Sequence, residues 1–179
     1  MNFLVGSLLY HSEEYIAFWL IIELIENYNL RENYQEGKKS LLTLKTYFIS
    51  FKGFPGLKIH NKKINKVFKY SLKEKYNEIQ STGVDISFVV VEWVFSLFCS
   101  LIPIDLQIEF FINFFETKWD FFYKVCYCLF QSKDFSGITD GDEVYMLLKF
   151  SKSNDKTSKE KEKFWENVLN KANELEINL

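Results

Sequence analysis

The segment from His11 to Glu14 places an imidazole, a hydroxyl and two carboxylates together, which are residue types of general acid–base catalysis. The start of a helix explains the same residues. Ser12 can cap the helix, and Glu13 and Glu14 would complement the positive end of its dipole. We therefore interpret this segment as a helix start and not as a catalytic site.

A second polar cluster, from Thr139 to Glu143, has the residue types of a calcium loop. It lacks the ligand spacing and the distal glutamate that such loops carry. Asp140 and Glu143 stand three residues apart, which is the spacing of a capping box at the N-terminus of a helix. The cluster therefore predicts a short helix that begins near Asp140.

The three cysteines, Cys99, Cys126 and Cys128, lie within apolar runs, and neither histidine is near them in the sequence. An odd number of cysteines without framework spacing is typical of reduced thiols in an intracellular protein. Arg31, the one arginine, stands beside Glu32 in a polar stretch and is interpreted as solvated. The sequence therefore predicts no catalytic residue, no bound metal and no cofactor.

The composition limits the elements that could position such residues. Of 179 residues, 47% are hydrophobic, which excludes disorder for most of the chain. Seven glycines and two prolines supply too few turn formers for a β-sandwich, which needs a turn about every 8–12 residues. The net charge of −2 argues against a nucleic-acid partner.

Apolar residues at spacings of three and four predict a series of helices. The first follows Ser12, with an apolar stripe of Tyr15, Phe18, Trp19, Ile22 and Ile25; further helices are predicted over residues 41–51, 57–80, 86–101, 105–116, 119–131, 140–150 and from Thr157 onwards. Trp19 and Trp93 have apolar neighbours and are predicted to lie in the core. The predicted fold class is all-α.

Local signals predict where several of these helices begin and end. Residues 27–39 are polar and are predicted to form a loop. Gly83 is a candidate C-cap, and Asp105 is a candidate N-cap. Thr157 and Glu160 have the spacing of a second capping box.

Five lysines follow one side of the helix predicted over residues 57–80: Lys58, Lys62, Lys66, Lys69 and Lys73. Such a stripe is most often the solvated side of an amphipathic helix. The alternative is a surface that docks on anionic lipid or on an acidic partner.

The stretch from Ile86 to Ile104 has 19 residues and one charge, Glu92, so its length alone permits a membrane span. Asp85 and Asp105 flank it, whereas membrane spans are typically flanked by lysine or arginine. We favour a buried core helix, and the alternative is a small membrane protein that spans near residues 86–104.

Taken in order, several segments resemble the TBC domain, the GTPase-activating domain of Rab regulators. The segments are Met1–Leu9, Glu13–Trp19, Tyr47–Phe48, Phe54–Leu57, Gly83–Asp85, Glu92–Phe98, Pro103, Asp142–Lys149 and Val168–Ala172. The residues that match the family's structural signature are Trp19, Gly83, Trp93, Phe98 and Pro103. In one departure, Ile112 and Asn113 stand where the family usually has Trp-Asp.

The resemblance implies an all-α, multi-helix fold that corresponds to the C-terminal portion of that domain. Residues 1–131 would form the C-terminal half of the TBC domain, and residues 132–179 would form its closing helices after a polar loop. The missing half would pack on the first helix, so we expect exposed apolar surface there.

The resemblance also implies a function: binding a Rab-family GTPase and stimulating hydrolysis of its GTP, in the cytoplasm and at endomembranes, with peripheral membrane association through the GTPase. The family's catalytic fingers are the arginine of Ile-x-x-Asp-x-x-Arg and the glutamine of Tyr-x-Gln. Neither motif occurs in this chain, and both are expected upstream of Met1, through a start assigned at an internal methionine or through a split or truncated gene. Asn2 and Phe3 would be part of the GTPase-facing surface.

Without the fingers, the chain alone should not accelerate GTP hydrolysis, because an arginine finger contributes about 10³–10⁵ in rate. The first alternative function is a non-catalytic helical module that binds a GTPase or a scaffold partner. The second is the small membrane protein described above.

Overall fold

The computed structural model describes residues 2–34, 54–149 and 157–176, and in these ranges the chain forms helices and no strand. The α-helices are α1 (Asn2–His11), α2 (Glu14–Glu26), α3 (Leu30–Tyr34), α4 (Pro55–Ser71), α5 (Lys73–Ser81), α6 (Ser87–Ser96), α7 (Gln107–Thr117), α8 (Trp119–Gln131), α9 (Gly141–Leu148) and α10 (Ser158–Glu174). A 3₁₀ turn, Ile104–Leu106, precedes α7. The all-α prediction is confirmed. The helix predicted over residues 41–51, with Tyr47 and Phe48, lies outside the described residues.

Helix α8 forms the centre of the core. From Phe121 to Phe130 every side chain except that of Lys124 is buried, and the helix packs against α10, α7 and α4. The ring of Phe130 stacks on that of Phe68 in α4, with centroids 3.9 Å apart. The bounds of α8 agree with the sequence prediction, because the run from Phe121 to Phe130 is apolar except for Lys124 and is long enough for a buried helix.

Phe98 is the point where several core helices meet. Its ring lies 4.9 Å from that of Phe122 in α8, 5.6 Å from Trp93 in α6 and 6.1 Å from Trp165 in α10, measured between centroids. Trp93 and Phe98 are fully buried, which confirms the core position predicted for Trp93. Clustered aromatic rings of this kind add to the free energy of burial.

Helix α6 ends earlier than the sequence indicated. It has ten residues, and Leu97 and Phe98 that follow it have φ of 47° and 61°, so the chain leaves the helical path well before Pro103. No helix in the described ranges is long and apolar enough to cross a membrane, and the helix within residues 86–104 has ten residues. The charge inside this stretch is paired, because Glu92 Oε2 lies 2.7 Å from Lys149 Nζ at the end of α9.

Two predicted caps are wrong. Ser12 does not cap α2, because its Oγ donates to the carbonyl of Leu8 in the preceding helix, at 2.7 Å, and Glu13 occupies the N-cap position. Asp105 does not cap α7, because it lies within the 3₁₀ turn and accepts a hydrogen bond from Tyr10 Oη at 3.3 Å. In both cases the side chain forms a hydrogen bond with a residue of α1 instead of capping the following helix.

Two predicted boundaries also differ. The loop predicted over residues 27–39 contains α3, since Leu30 and Asn33 are buried against α4. The single helix predicted over residues 57–80 is divided at Leu72, which has φ −130° and ψ 47°. The division lets Lys75 in α5 donate to the carbonyls of Gln131 and Lys133 at the end of α8. A cation is favourable at the carboxyl end of a helix.

Other helix ends agree with the sequence. Gly83 follows the end of α5 with φ 75°, the left-handed conformation expected after a C-cap. Asp140 caps α9 by accepting from Asp142 N at 3.0 Å. Glu160 accepts from Thr157 N at 2.8 Å, which is the reciprocal bond of a capping box at the start of α10.

Candidate interaction surface

The first two helices, α1 and α2, leave much of their apolar surface exposed. Helix α1 buries Leu4 and Leu8, and helix α2 buries Ala17 and Leu24. The exposed apolar side chains of the two helices are Phe3, Leu9, Tyr10, Tyr15, Ile16, Phe18 and Trp19. Large exposed apolar side chains concentrated on two neighbouring helices are typical of an interaction site. The prediction of exposed apolar surface on the first helix is confirmed.

Three rings on α2 form an aromatic cluster, consisting of Tyr15, Phe18 and Trp19. The Trp19 ring meets the other two edge-on, with centroids 5.5 Å from Phe18 and 6.3 Å from Tyr15. Trp19 is 53% exposed, so its predicted core position is wrong. The helix is apolar on nearly every side, and it is the opposite side, at Ala17 and Leu24, that packs inward.

Asn2 and Phe3 lie at the start of α1, and both are exposed. They share this helix with the buried Leu4 and Leu8, so the packing of α1 holds them at the surface. Their predicted role in facing a GTPase stays a prediction.

The corner between α1 and α2 is fixed to the 3₁₀ turn by side-chain hydrogen bonds. His11 Nε2 lies 2.7 Å from the carbonyl oxygen of Ile104. Since a carbonyl only accepts, Nε2 carries the proton and donates. Tyr10 Oη donates to Asp105 at 3.3 Å. His11 therefore positions the corner, in line with its interpretation as part of a helix start.

A shallow pocket of about 110 Å³ lies between this corner and α7. It is lined by Leu8, His11, Ser12, Leu20, Ile108, Phe111, Ile112 and Phe115. Ligand sites usually enclose about 300–1,000 Å³. The pocket is therefore the size of one side chain from a partner rather than of a nucleotide, and it continues the apolar surface of α1 and α2 onto α7.

The other signature residues have structural positions. Trp93 and Phe98 contact each other in the core. Gly83 supplies the left-handed turn after α5, which a side chain would strain. Pro103 is the N-cap of the 3₁₀ turn. Of the five signature residues, Trp93 and Phe98 lie in the core, whereas Trp19 and Gly83 are exposed.

The three thiols lie in the core. Cys99, Cys126 and Cys128 are buried, as predicted. Burial raises the pKa of Cys99 to about 12 and raises the pKa of the other two thiols as well, because a thiolate would lose its hydration. Across the described ranges no group of three or more His, Cys, Asp or Glu side chains could hold a metal ion.

The core contains a polar residue, His60, that the sequence analysis did not assign to it. His60 in α4 is buried, its ring lies 3.8 Å from that of Trp119 between centroids, and its Nδ1 is hydrogen-bonded to Tyr123 Oη at 2.8 Å. The signal was present, because His60 is four residues before Ile64 on the inward side of α4. A histidine at that spacing is a core position.

The sequence model described as the Rab-GTPase-TBC domain matches residues 1–138 of the chain. The matched range includes α1 to α8, and therefore both the exposed helices and the aromatic core around Phe98. A search of curated proteins finds no match.

Proposed function

The chain belongs to the Rab-GTPase-TBC domain family, and on that premise we propose that it acts on a Rab-family small GTPase as part of a GTPase-activating regulator. The observation that carries the proposal is the match over residues 1–138. Regulators of this family act on GTPases that operate at membranes, so we place the chain in the cytoplasm and at endomembranes, where the GTPase would recruit it.

The finger residues of the family are not supplied by residues 1–179. No Ile-x-x-Asp-x-x-Arg or Tyr-x-Gln motif occurs in the sequence, and Arg31 is paired with Glu26 at the surface. We therefore assign to this chain scaffold and GTPase-facing surface, including Asn2 and Phe3, rather than the transition-state contacts. A GTPase gains about 10³–10⁵ in rate from an arginine finger supplied in trans.

The exposed apolar side chains of α1 and α2, apart from Phe3, are proposed as the surface on which a finger-bearing TBC segment packs. Residues 1–131 then act as the C-terminal half of the domain, and residues 132–179 as its closing helices. The support is the exposed aromatic cluster, together with the packing of α10 on α8, which joins the closing helix to the core.

The test is GTP hydrolysis by a panel of Rab proteins, measured with the chain alone and with the chain joined at its N-terminus to a TBC segment that carries both fingers. We expect no stimulation by the chain alone and a clear increase for the joined protein. Stimulation by residues 1–179 alone would contradict the assignment of the fingers elsewhere. Failure of the joined protein to bind or stimulate any Rab would contradict the proposed function.

The absence of both motifs from the sequence also favours a second candidate, a non-catalytic module that binds a GTPase or scaffold partner. Such a module would bind a Rab protein with similar affinity in its GTP and transition-state forms. A regulator would bind more tightly when the GTPase carries a transition-state analogue, because catalytic sites are complementary to the transition state. Comparing the two affinities for the joined protein separates the candidates.

A further inference from the structure

Helix α4 is strongly basic. It contains five lysines and no acidic residue, although the chain as a whole has a net charge of −2. Lys63 lies 3.6 Å from Asp120 of α8 and contacts the ring of Tyr123. The other four lysines of α4 are exposed, and so is the lysine that begins α5. We call these five residues the basic face: Lys58, Lys62, Lys66, Lys69 and Lys73. No ion pair involves these five among the described residues.

Two large apolar side chains accompany the basic face. Ile59 is 60% exposed and Tyr70 is 73% exposed. They are eleven residues apart in α4, which is three helical turns, so they lie along the same edge of the helix, about 16 Å apart. The exposed side of α4 therefore combines ammonium groups with apolar side chains at both ends.

The orientation of this face is fixed by the core. The inward side of α4 buries Leu57, Ile64 and Phe68, and the helix packs against α3, α6 and α8. The stacking of Phe68 on Phe130 holds its last turns. The lysines therefore point away from the molecule, and α4 cannot rotate them inward without opening the core.

From this arrangement we propose that the basic face of α4 binds the surface of a membrane that contains anionic phospholipids. The lysine ammonium groups would contact the phosphate and carboxylate groups of the lipids, while Ile59 and Tyr70 enter the interface between headgroups and acyl chains. The chain then has a membrane contact of its own, separate from the recruitment through a GTPase described above.

The spacing of the lysines favours a membrane over a free anion. A site for a free phosphate needs donors that converge on one point, whereas Lys58 to Lys69 extend over about 16 Å of a straight helix. A planar anionic surface satisfies all of them together. An acidic protein segment would use the lysines but has no requirement for the exposed Ile59 and Tyr70.

The experiment is sedimentation of the full chain with vesicles of phosphatidylcholine alone and of phosphatidylcholine mixed with phosphatidylserine, at low and high salt. We expect binding to the anionic vesicles that high salt abolishes, because surface charges are screened. The variant Lys62→Gln/Lys66→Gln/Lys69→Gln should bind them roughly 100-fold more weakly, at about fivefold for each lysine. Circular dichroism should show the native helix content, since these side chains are exposed.

The matched control is Lys159→Gln/Lys161→Gln/Lys163→Gln, which removes the same charge from exposed positions in the first turns of α10. It should bind like the native chain. Equal weakening by the two triple variants, or equal binding to neutral vesicles, would overturn the proposal, because net charge or the apolar surface of α1 and α2 would then suffice.

A second variant distinguishes the source of the anion. Ile59→Ser/Tyr70→Ser should reduce binding to anionic vesicles at least about tenfold, because it removes the apolar contribution to the interface. Displacement by glycerophosphoserine together with unchanged binding of this variant would show a site for a free anion. Binding to polyglutamate without binding to vesicles would show a site for an acidic protein. Either result would overturn the membrane assignment.

Discussion

At the scale of single residues, His60 shows how the core controls a titratable group. It is 7% exposed, and the loss of hydration, together with the nearby charge of Lys63, lowers its pKa from 6.5 to about 4. The neutral ring is therefore the form that the folded protein contains. Burial raises the pKa of Tyr123, the hydrogen-bond partner of His60. Both side chains are therefore uncharged at neutral pH.

The consequence is a loss of stability in mild acid. Because the pKa is lower in the folded chain than in the unfolded chain, the contribution of His60 is complete above pH 6.5 and is lost as the pH falls toward 4. The loss by pH 4 corresponds to about 3 kcal/mol of unfolding free energy. We expect His60→Gln to reduce the difference in unfolding free energy between pH 6.5 and pH 4, measured by urea unfolding, by about 3 kcal/mol.

The reference for this measurement is the native chain, unfolded in urea at the same pH values. The interpretation of His60 fails if the native chain and His60→Gln have the same slope of unfolding free energy against pH, because the carboxylates common to both would then account for the acid sensitivity.

At the scale of elements, the contact between α3 and α4 depends on a glycine. Gly56 lies in the first turn of α4, and a Cβ placed there would contact Asn33 Oδ1 and lie 2.9 Å from Asn33 N and from the carbonyl carbon of Glu32. Asn33 is itself fully buried, and two of these contacts are to backbone atoms of α3, so the helices would have to separate.

We therefore expect Gly56→Ala to lower the free energy of unfolding by about 2 kcal/mol, the usual cost of overpacking, despite the better helix propensity of alanine. Gly6→Ala in α1 is the control, since no atom lies within 4 Å of its added Cβ. It should stabilise the chain by about 0.5–1 kcal/mol. Urea unfolding of both variants measures the difference, and a shift of the same sign in both would contradict the close packing.

Whether an element exists was easier to predict than what its ends contact. The bounds of α8 and the bond between Thr157 and Glu160 follow from residues close in the sequence. Ser12 and Asp105 were assigned to caps by the same local rules, yet their partners, Leu8 and Tyr10, belong to α1. The competition between a cap and a contact with another element is decided by the tertiary structure, which local spacing does not contain.

The direction that a helix faces was predictable only where its sides differ. In α4 the lysines and the apolar residues separate clearly, so the lysine stripe indicated the solvated side, and Ile64 and Phe68 are buried on the other side. In α2 nearly every side is apolar, and the sequence placed Trp19 in the core although it is exposed. For the same reason the sequence predicted α2 as a helix but not which of its side chains are exposed.

At the scale of the whole molecule, the two surfaces described above have opposite character. The apolar surface of α1 and α2 contains the aromatic cluster, whereas the exposed side of α4 is basic. They lie on different helices: α4 packs directly on α8, whereas α2 contacts α3, which in turn packs on α4. Their separation means that each can be altered without the other, which allows their contributions to association to be measured independently.

The aromatic cluster should make the isolated chain associate with itself. We expect concentration-dependent sedimentation and binding of a hydrophobic dye, and we expect Phe18→Ser/Trp19→Ser to weaken both. Each substitution removes about 1–2 kcal/mol of apolar burial from the association, or roughly tenfold in the dissociation constant. Thermal stability should change little, because both rings are more than half exposed.

The matched control is Tyr70→Ser, which removes an aromatic ring from α4 that is more exposed than Phe18 or Trp19 and lies outside the aromatic cluster. It should leave sedimentation and dye binding unchanged. A chain that stays monomeric at high concentration and binds no dye would contradict the assignment of α1 and α2 as a packing surface. Equal effects of the two variants would locate the association in general surface hydrophobicity instead, because the aromatic cluster would then have no property that a single exposed ring lacks.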